Sequence, residues 1–244
     1  MGYMGTFTSD RYGLLVGEDG GHLIRTRRYG ENDNVQKTKV DVRLFASGDA
    51  EMDFCRDYSG LEIENDGFVH LLNKSEDEKR KWIQDHSGFG NLELKDYRFM
   101  PLSGDEVPRT GYEIKGQLRG FATMSMGRLF LTPCRFSNIA YIKLTGKERF
   151  SPIMVRYPYI QEDTVRVTIP EGYREEGGIA PLSLETPFGD YRLAVRVQGE
   201  EIFITRRFCL KKGTYPRTDY DKFKDFITKV QLADRSRMVL VKNE

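Results

Sequence analysis

The sequence contains few cysteines, and their spacing excludes two common kinds of small domain. Three cysteines occur in 244 residues, namely Cys55, Cys134 and Cys209, and no two of them form a Cys-x-x-Cys pair. A zinc ribbon requires such pairs, and a disulfide framework requires more cysteines. We therefore expect neither, although a single disulfide could form in an oxidising compartment.

An excess of charge of either sign is also lacking. The chain carries 38 Lys and Arg residues against 37 Asp and Glu residues, for a net charge of +1. Nucleic-acid-binding proteins usually show a basic excess. We therefore expect no nucleic-acid partner.

Long apolar runs and targeting signals are missing too. No apolar run approaches the roughly 18–20 residues that cross a bilayer as a helix. The first twelve residues, MGYMGTFTSDRY, lack the basic start and apolar stretch of a signal peptide. We predict a chain with no transmembrane segment and no signal peptide.

Motifs for metals and cofactors are likewise missing. The histidines at 22, 70 and 86 show neither His-x-His nor His-Glu-x-x-His spacing. The acidic run GDAEMD, 48–53, does not follow the pattern of a calcium loop. The sequence therefore predicts no metal site and no cofactor. A pair of carboxylates for glycoside hydrolysis stays open, because any β-sandwich cleft could hold one, but no pair in the sequence stands out.

Alternating apolar and polar residues dominate what is present. This period-2 pattern indicates half-buried strands of antiparallel sheets, and it occurs in LIRTRRY, VDVRLFASGDAEMDFCRDY, LRGFATMSM, VRVTIP, YRLAVRV and EIFITRRFCL. Turn residues interrupt the pattern at hairpin spacing, in SGDA (47–50), FGDY (188–191) and VQGEE (197–201). We predict a mainly β fold.

Two stretches are typical of helices. In SEDEKRKWIQDH, Ser75 and Glu78 form a capping-box pattern, and Gly88 lies where a helix over about 75–87 would end. A second helix is predicted over 218–234, where Tyr220, Phe223, Ile227 and Val230 recur every three or four residues beside Phe226. The run MVLVK, 238–242, predicts a last strand.

A polar break divides the chain into two strand-rich halves. The run LTGKERFSP, 144–152, combines glycine, proline and charged residues between them. We therefore predict two antiparallel β-sandwich-like domains, 1–147 and 148–244, each with one short α-helix.

The run GEDGGHLIRTRRY, 17–29, combines glycines with a histidine and three arginines. A phosphate-binding loop would need a helix after the glycines, but HLIRTRRY alternates as a strand does. Asp19-Gly20 is typical of a tight hairpin turn, because glycine tolerates a positive φ. We therefore predict a hairpin, with His22 on its returning strand as a surface or cross-strand residue.

The three arginines of this run are candidate binding residues. Alternation places Arg25 and Arg27 on one face of the predicted strand, and Thr26 and Arg28 on the other. The simpler interpretation is a solvated strand face, and the alternative is a docking surface for an acidic partner.

Trp82 is a further candidate, together with the high aromatic fraction of 12%. A ligand platform would draw on Tyr58, Tyr97, Tyr112, Tyr157, Tyr159 and Tyr191. Aromatic residues also favour strands and cores, so a structural role is the simpler interpretation.

The cysteines do not match the requirements of a thiol nucleophile. Such a nucleophile needs a neighbouring histidine and gains from the start of a helix. Cys55 and Cys209 lie in alternating strands, and Cys134 follows Pro133 near a strand end. We predict structural cysteines and no catalytic residue.

Several segments together resemble one bacterial family. They are GYMGTFTSDRYGLLVGEDGGHLIRTRRY, CRDYSGLEIEN, RLFLTP, RFSPIMVRYPYIQEDTVRVTIPEGY, LKKGTYPRTDYDKFKDFITKV and MVLVK, in that order. The resemblance is to the C-terminal β region, a domain of unknown function, of envelope-associated proteins with a transglutaminase-like (papain-related) core.

This resemblance implies a location and a set of partners but no active site. The family's Cys, His and Asp lie in the core, no segment here matches that core, and GYMGTFTSDR resembles the stretch that follows it. Asp10 lies near this junction and is not assigned to the triad. The resemblance implies a periplasmic or cell-envelope protein that works beside a transglutaminase-like core or with a protein or cell-wall ligand.

The function expected from these observations is that of a non-catalytic accessory region. It would support the core, or position a protein or cell-wall substrate. The alternative is a free-standing hydrolase with a site in a β-sandwich cleft, which would show turnover by itself and a strongly shifted pKa in a concave pocket. A purely structural spacer, with no ligand, is the third interpretation.

The double substitution Arg27→Ala with Arg28→Ala distinguishes docking from structure. If these arginines contact a partner, binding should weaken while the melting temperature of the chain stays nearly unchanged. Binding assays and thermal melts of the same two proteins check this. An equal loss of binding and of thermal stability would indicate a structural role.

Overall fold

The computed structural model describes residues 5–86, 89–104, 106–137, 139, 142, 144 and 150–243. The fold is mainly β, as predicted, with 51% strand and 21% helix, several sheets and few short helices, in a β-sandwich-like arrangement. The three predicted hairpin turns and the last strand are confirmed.

The largest sheet has eight strands. Their order is β12 (Leu182–Thr186), β13 (Gly189–Gln198), β14 (Glu201–Leu210), β10 (Tyr159–Thr168), β3 (Val35–Leu44), β4 (Ala50–Ser59), β6 (Arg109–Arg119) and β5 (Asn91–Ser103). Burial alternates along these strands, most regularly in β3, as expected where one face packs on a core and the other meets water.

Three smaller sheets complete the β structure. A four-stranded sheet has the order β11 (Tyr173–Gly177), β16 (Met238–Lys242), β8 (Arg128–Leu131) and β7 (Thr123–Ser125). The two-stranded sheets are β15 (Gly213–Tyr215) with β9 (Ile153–Val155), and β1 (Tyr12–Gly17) with β2 (Gly20–Arg25).

One pairing in the large sheet is parallel, between β3 and β10. A parallel pair needs a long connection, and more than 100 residues separate these two strands. Buried Asn34 stands at the start of this pair. Its Nδ2 donates to the Pro158 carbonyl at 2.8 Å, its Oδ1 accepts from the Leu61 N–H at 2.9 Å, and its carbonyl accepts from the Ile160 N–H at 2.9 Å.

Hydrogen-bonded strand pairs therefore connect the two sides of the predicted boundary between residues 147 and 148. The large sheet pairs β3 with β10, and the four-stranded sheet pairs β8 with β16. The division into two domains stays a prediction.

The helices are α1 (Gly5–Thr8), α2 (Phe68–Leu71), α3 (Glu76–His86) and α4 (Tyr220–Asp234), with 3₁₀ helices at Gly60–Gly67, Pro133–Phe136 and Arg217–Asp219. Helices α3 and α4 lie where the sequence predicts them, and the short ones carry too few residues for a periodic signal. Within the described part of the chain, no helix has the length and apolar character that crossing a membrane requires.

The capping box at α3 is confirmed. The Glu78 N–H donates to Ser75 Oγ at 3.3 Å, and the Ser75 N–H donates to Glu78 Oε2 at 3.0 Å. This reciprocal pair satisfies two backbone donors at the start of the helix. The predicted stop at Gly88 lies outside the described residues.

Helix α4 packs its predicted apolar stripe on the large sheet. The Phe226 ring stacks on Phe208 of β14 with centroids 6.1 Å apart, and Phe223 meets Phe188 edge-on at 5.3 Å. Both phenylalanines of the helix are buried. The 3.6-residue period of the sequence thus places the stripe against the core.

A buried network of ion pairs joins helix α4 to the large sheet. Arg206 of β14 donates through Nε and Nη2 to the two oxygens of Asp234, at 2.7 and 2.9 Å, and through Nη1 to Asp163 of β10 at 2.8 Å. Asp234 also accepts from the Tyr191 hydroxyl at 2.8 Å, and Asp163 accepts from Ser137. The charges are thereby paired away from water.

The substitution Arg206→Met should lower the free energy of unfolding by about 3–5 kcal/mol. It leaves Asp234 buried without its cation and removes the guanidinium bonded to Asp163, and an uncompensated buried charge is costly. Urea denaturation at neutral pH measures the loss. The matched control is Arg192→Met, which removes an exposed arginine paired with Glu185 and should cost less than about 1 kcal/mol. Similar losses for both variants would contradict this assignment.

Candidate functional site

The glycine-rich run at 17–29 forms the hairpin that the sequence predicts. Strands β1 and β2 pair antiparallel from Tyr12 with Arg25 to Gly17 with Gly20, around a two-residue turn. Gly20 has a φ of +118°, which glycine tolerates and other residues rarely adopt. No helix follows the glycines, so the phosphate-loop interpretation finds no support.

His22 lies beside the turn of this hairpin. Its Nε2 is 2.9 Å from Asp19 Oδ2, and both side chains are more than half exposed. This is the surface role that the sequence predicts for His22.

Asp10 lies at the open end of the hairpin, surrounded by cations. Its Oδ1 accepts from Arg25, with Nε at 3.0 Å, and its Oδ2 accepts from Lys212 Nζ at 2.6 Å. Arg28 Nε approaches the same carboxylate to 3.9 Å. The Lys212 hydrogen bond, followed by that from Arg25, holds the pKa of Asp10 below its ordinary value although partial burial acts in the opposite direction.

Asp10 also has an unusual backbone conformation. Its φ is +57°, in the left-handed region that few non-glycine residues adopt. The Asp10 N–H donates to the Arg27 carbonyl at 3.0 Å, so the strained residue is held against the base of the hairpin. Such outliers persist where the surroundings enforce them, and they concentrate at functional sites.

The structure corrects the predicted arrangement of the arginines. Arg25 and Arg28 converge on Asp10, whereas Arg27 Nη1 donates to Glu106 at 3.0 Å. Strand β2 ends at Arg25, so alternation no longer applies beyond it. At this point Thr26 is buried, and its side-chain Oγ1 accepts from the Arg11 N–H at 2.9 Å.

Trp82 lies away from this cluster, in an aromatic core. Its ring meets Tyr112 edge-on at 5.4 Å and Phe68 at 5.7 Å, and its exposed fraction is 9%. Four tyrosines of the hypothetical ligand platform are also buried, namely Tyr58, Tyr112, Tyr159 and Tyr191. We therefore place Trp82 in the core and not in the candidate site.

A cleft of about 740 Å³ opens beside Asp10. Its lining comes from residues 6–7, 9–11, 28–29, 154–157 and 212–214, together with Leu61. Volumes of this order are typical of small-ligand sites. Of the three candidate arginines, Arg28 lines the cleft. Arg25 does not line it but donates a hydrogen bond to Asp10, which does.

The hairpin also presents an apolar face to solvent. Alternation and the register of the pair place Tyr12, Leu14, Val16 and Leu23 on one side. These four residues, which we call the apolar face, have exposed fractions of 70, 67, 75 and 72%. The other side carries Gly13, Leu15, Gly17, Gly20, His22 and Ile24.

The three cysteines are poor nucleophiles in their surroundings. Burial is the main reason that the pKa is raised to about 11 for Cys55 and to about 12 for Cys134 and Cys209. Carboxylates reinforce the effect, among them Asp57 beside Cys55 and Glu31 beside Cys209. Among the described side chains, which do not include His86, no cysteine is hydrogen-bonded to a histidine.

Sequence reasoning alone did not find most residues of the cleft. Arg11, Arg156 and Lys212 gave no local signal, because they lie in three separate segments of the chain. Asp10 was noted only for its position. The apolar face had a visible signal, since YGLLVG places Tyr12, Leu14 and Val16 at every second residue.

The comparisons with known proteins give a partial assignment. A model of a domain of unknown function with a solved structure, DUF3858, matches residues 127–240, which is less than half of the chain. No curated protein matches the sequence. One similar solved structure is described as a putative protease from Parabacteroides distasonis ATCC 8503, with 6% identity, a TM-score of 0.38, and coverage of 86% of this chain and 100% of that one.

A likeness at this level carries no information on activity. The matches described above do not include a transglutaminase-like protein, so that part of the resemblance remains a prediction.

The substitution Lys212→Gln should raise the pKa of Asp10 towards its ordinary value of 3.8, because the strongest lowering contact is lost. A carboxyl whose folded-state pKa is depressed stabilises the fold above its unfolded pKa, and the contribution disappears as pH falls through the folded value. The stability difference between wild type and variant should therefore shrink at acid pH.

A carbon-13 NMR titration of the Asp10 carboxyl, with urea denaturation at several pH values, checks both expectations. The control is Lys222→Gln, an exposed lysine that pairs with Asp219. It should leave the Asp10 titration unchanged. An unshifted Asp10 in the Lys212 variant would contradict the assignment.

Proposed function

We propose that this chain is a non-catalytic interaction region of the transglutaminase-like, papain-related proteins of the bacterial envelope. Its apolar face on hairpin β1–β2 docks on the catalytic core of such proteins and supports it. The observation that carries the proposal is the exposure of Tyr12, Leu14, Val16 and Leu23 together on one side of a two-stranded sheet.

An isolated two-stranded hairpin is at best marginally stable in water, and most sheets cover an apolar face with another layer. Burying one exposed Leu or Val side chain gains about 1.5–3 kcal/mol before the costs of association. Exposed apolar residues that stand singly are normal, but a contiguous group of this kind marks an interaction site. Burial of the apolar face against a second protein surface is therefore more favourable than its exposure to water.

The resemblance suggests which surface that is. GYMGTFTSDR resembles the stretch that follows the transglutaminase-like core, and the hairpin begins at the next residue, Tyr12. A core joined at this point would lie close to the hairpin. The cell envelope, as the periplasm or its surroundings, is the location that goes with this proposal.

The state of the cysteines supports a non-catalytic role. A nucleophilic thiol needs a depressed pKa, usually from a cation, a helix start or a neighbouring imidazole. The pKa values of Cys55, Cys134 and Cys209 are shifted in the opposite direction. On this proposal, any catalytic step would take place in the transglutaminase-like core.

The triple substitution Leu14→Ser, Val16→Ser and Leu23→Ser tests the proposal. The full chain is titrated against the purified transglutaminase-like core of an envelope protein whose own C-terminal region matches the DUF3858 model, by isothermal titration calorimetry. Wild type should bind, and the variant should bind at least about tenfold more weakly, because the buried apolar area is lost. Its melting temperature should stay near that of wild type, since these side chains are already exposed.

The matched control replaces apolar residues that are exposed elsewhere, Met124→Ser with Leu232→Ser. It should bind the core as wild type does. Equal weakening by both sets of substitutions, or no binding by the wild-type chain, would contradict the proposal. Peptide or glycoside turnover by the chain alone would favour the hydrolase instead.

A further inference from the structure

The cleft beside Asp10 carries more positive charge than its own carboxylate neutralises. Its charged lining residues are Asp10, Arg11, Arg28, Arg156 and Lys212. Both oxygens of Asp10 are already bonded, to Arg25 and Lys212. Four cations thus line the cleft against one carboxylate that is fully engaged.

Two of these cations have no carboxylate partner among the described residues. The Arg11 guanidinium lies over the Phe7 ring at 4.7 Å, and Arg156 is exposed without an ion pair. Arg28 is only 3.9 Å from Asp10, which is the edge of an ion-pair distance. The carboxylate of Glu64 lies nearby but accepts from the Thr6 N–H and hydroxyl, at 3.1 and 2.6 Å.

Several cations of the large sheet pair with carboxylates, as Arg166 does with Asp41 and Arg119 with Asp49 and Glu93. The cations of the cleft differ in lining one cavity together. Because the cations of the cleft converge on one concavity, their fields add there, and low-dielectric walls strengthen them. The arrangement attracts an anion.

Apolar and hydroxyl groups lie between these charges. Phe7 and Met154 are 76 and 62% exposed at the cleft, and Leu61 contributes to its lining. Burial, with Glu62 and Glu64 nearby, raises the pKa of Tyr157 to about 12, so its hydroxyl is protonated at neutral pH. A small inorganic anion would use the charges and leave the apolar surface uncovered.

We propose that this cleft binds a peptide that carries carboxylates beside apolar side chains, with Arg11, Arg28 and Arg156 receiving the carboxylates and Phe7 and Met154 contacting the apolar groups. Arginine suits this role, because its planar guanidinium donates two parallel hydrogen bonds to one carboxylate. Lys212 and Arg25 bond the two oxygens of Asp10, so this carboxylate is already engaged. The site does not depend on what the hairpin docks on.

The experiment measures fluorescence anisotropy of the full chain with a fluorescein-labelled peptide of alternating glutamate and leucine. Binding is expected, with an affinity that falls as salt is added, because the contacts are charged and partly exposed. The double substitution Arg11→Gln with Arg156→Gln should weaken binding at least about tenfold. Neither arginine has an ion pair within the described part of the chain, so we expect the variant to fold as wild type does.

The matched control is Arg196→Gln with Arg237→Gln, which removes two exposed arginines far from the cleft in sequence. It should bind the peptide as wild type does. A peptide with glutamine in place of glutamate tests the need for carboxylates, and one with serine in place of leucine tests the apolar contacts. Both should bind more weakly.

Two kinds of carboxylate-bearing peptide share this chemistry, and a second probe separates them. It links glutamate through its γ-carboxyl, as cell-wall peptides do, and the tighter binder of the two identifies the source. Equal weakening by the cleft and control variants, or equal binding of the glutamine peptide, would overturn the proposal. So would the absence of binding by either glutamate probe.

The triple serine variant of the apolar face keeps this result separate from the proposed function. It should bind the acidic peptide as wild type does, since none of the three substituted residues lines the cleft. If the wild-type chain binds the peptide but not the core, only the proposed function is overturned. If it binds the core but not the peptide, only the present inference is overturned.

Discussion

The parallel pairing of β3 with β10 is the constraint on which the rest of the structure depends. Asn34 closes the start of this pair by bonding to Pro158, Leu61 and Ile160. Because the two strands run the same way, the residues that precede them emerge at the same end of the sheet. Strand β14, antiparallel to β10, ends there as well.

The cleft follows directly from this geometry. Arg28 precedes β3, Arg156 precedes β10, and Lys212 follows β14. An antiparallel β3–β10 pair would send Arg28 and Arg156 to opposite ends of the sheet. The concentration of charge beside Asp10 is therefore a property of the topology, and the hairpin projects from the same end because Asp10 bonds both to its base and to Lys212.

The near-zero net charge of the chain hides three different uses of charge. In the interior, Arg206 forms ion pairs with Asp163 and Asp234. This buried network is stable only while all three side chains are present. On the outer face of the sheet, cross-strand pairs such as Arg166 with Asp41 contribute little individually. At the cleft, cations outnumber carboxylates, and there the charge is available for a ligand. A charge count over the whole chain cannot separate these cases.

The sequence by itself determined the local structure. Alternation located β3, β4, β10, β13 and β14 of the large sheet, but not β5 or β12. The Ser75–Glu78 pattern located α3, the apolar stripe located α4, and Asp19-Gly20 located the hairpin turn. Each of these signals acts between residues a few positions apart, where backbone preferences and side-chain periodicity decide the conformation. Only the tertiary structure decided that Trp82 is buried, that Arg25 and Arg28 share Asp10 while Arg27 does not, and that Arg156 and Lys212 join them. The contacts of Trp82, and those of Asp10 with Arg25 and Arg28, join separate segments of the chain. Arg156 and Lys212 reach the cleft through the pairing of strands more than 100 residues apart. Both kinds of contact depend on how whole faces pack, which leaves no mark in any short stretch of sequence.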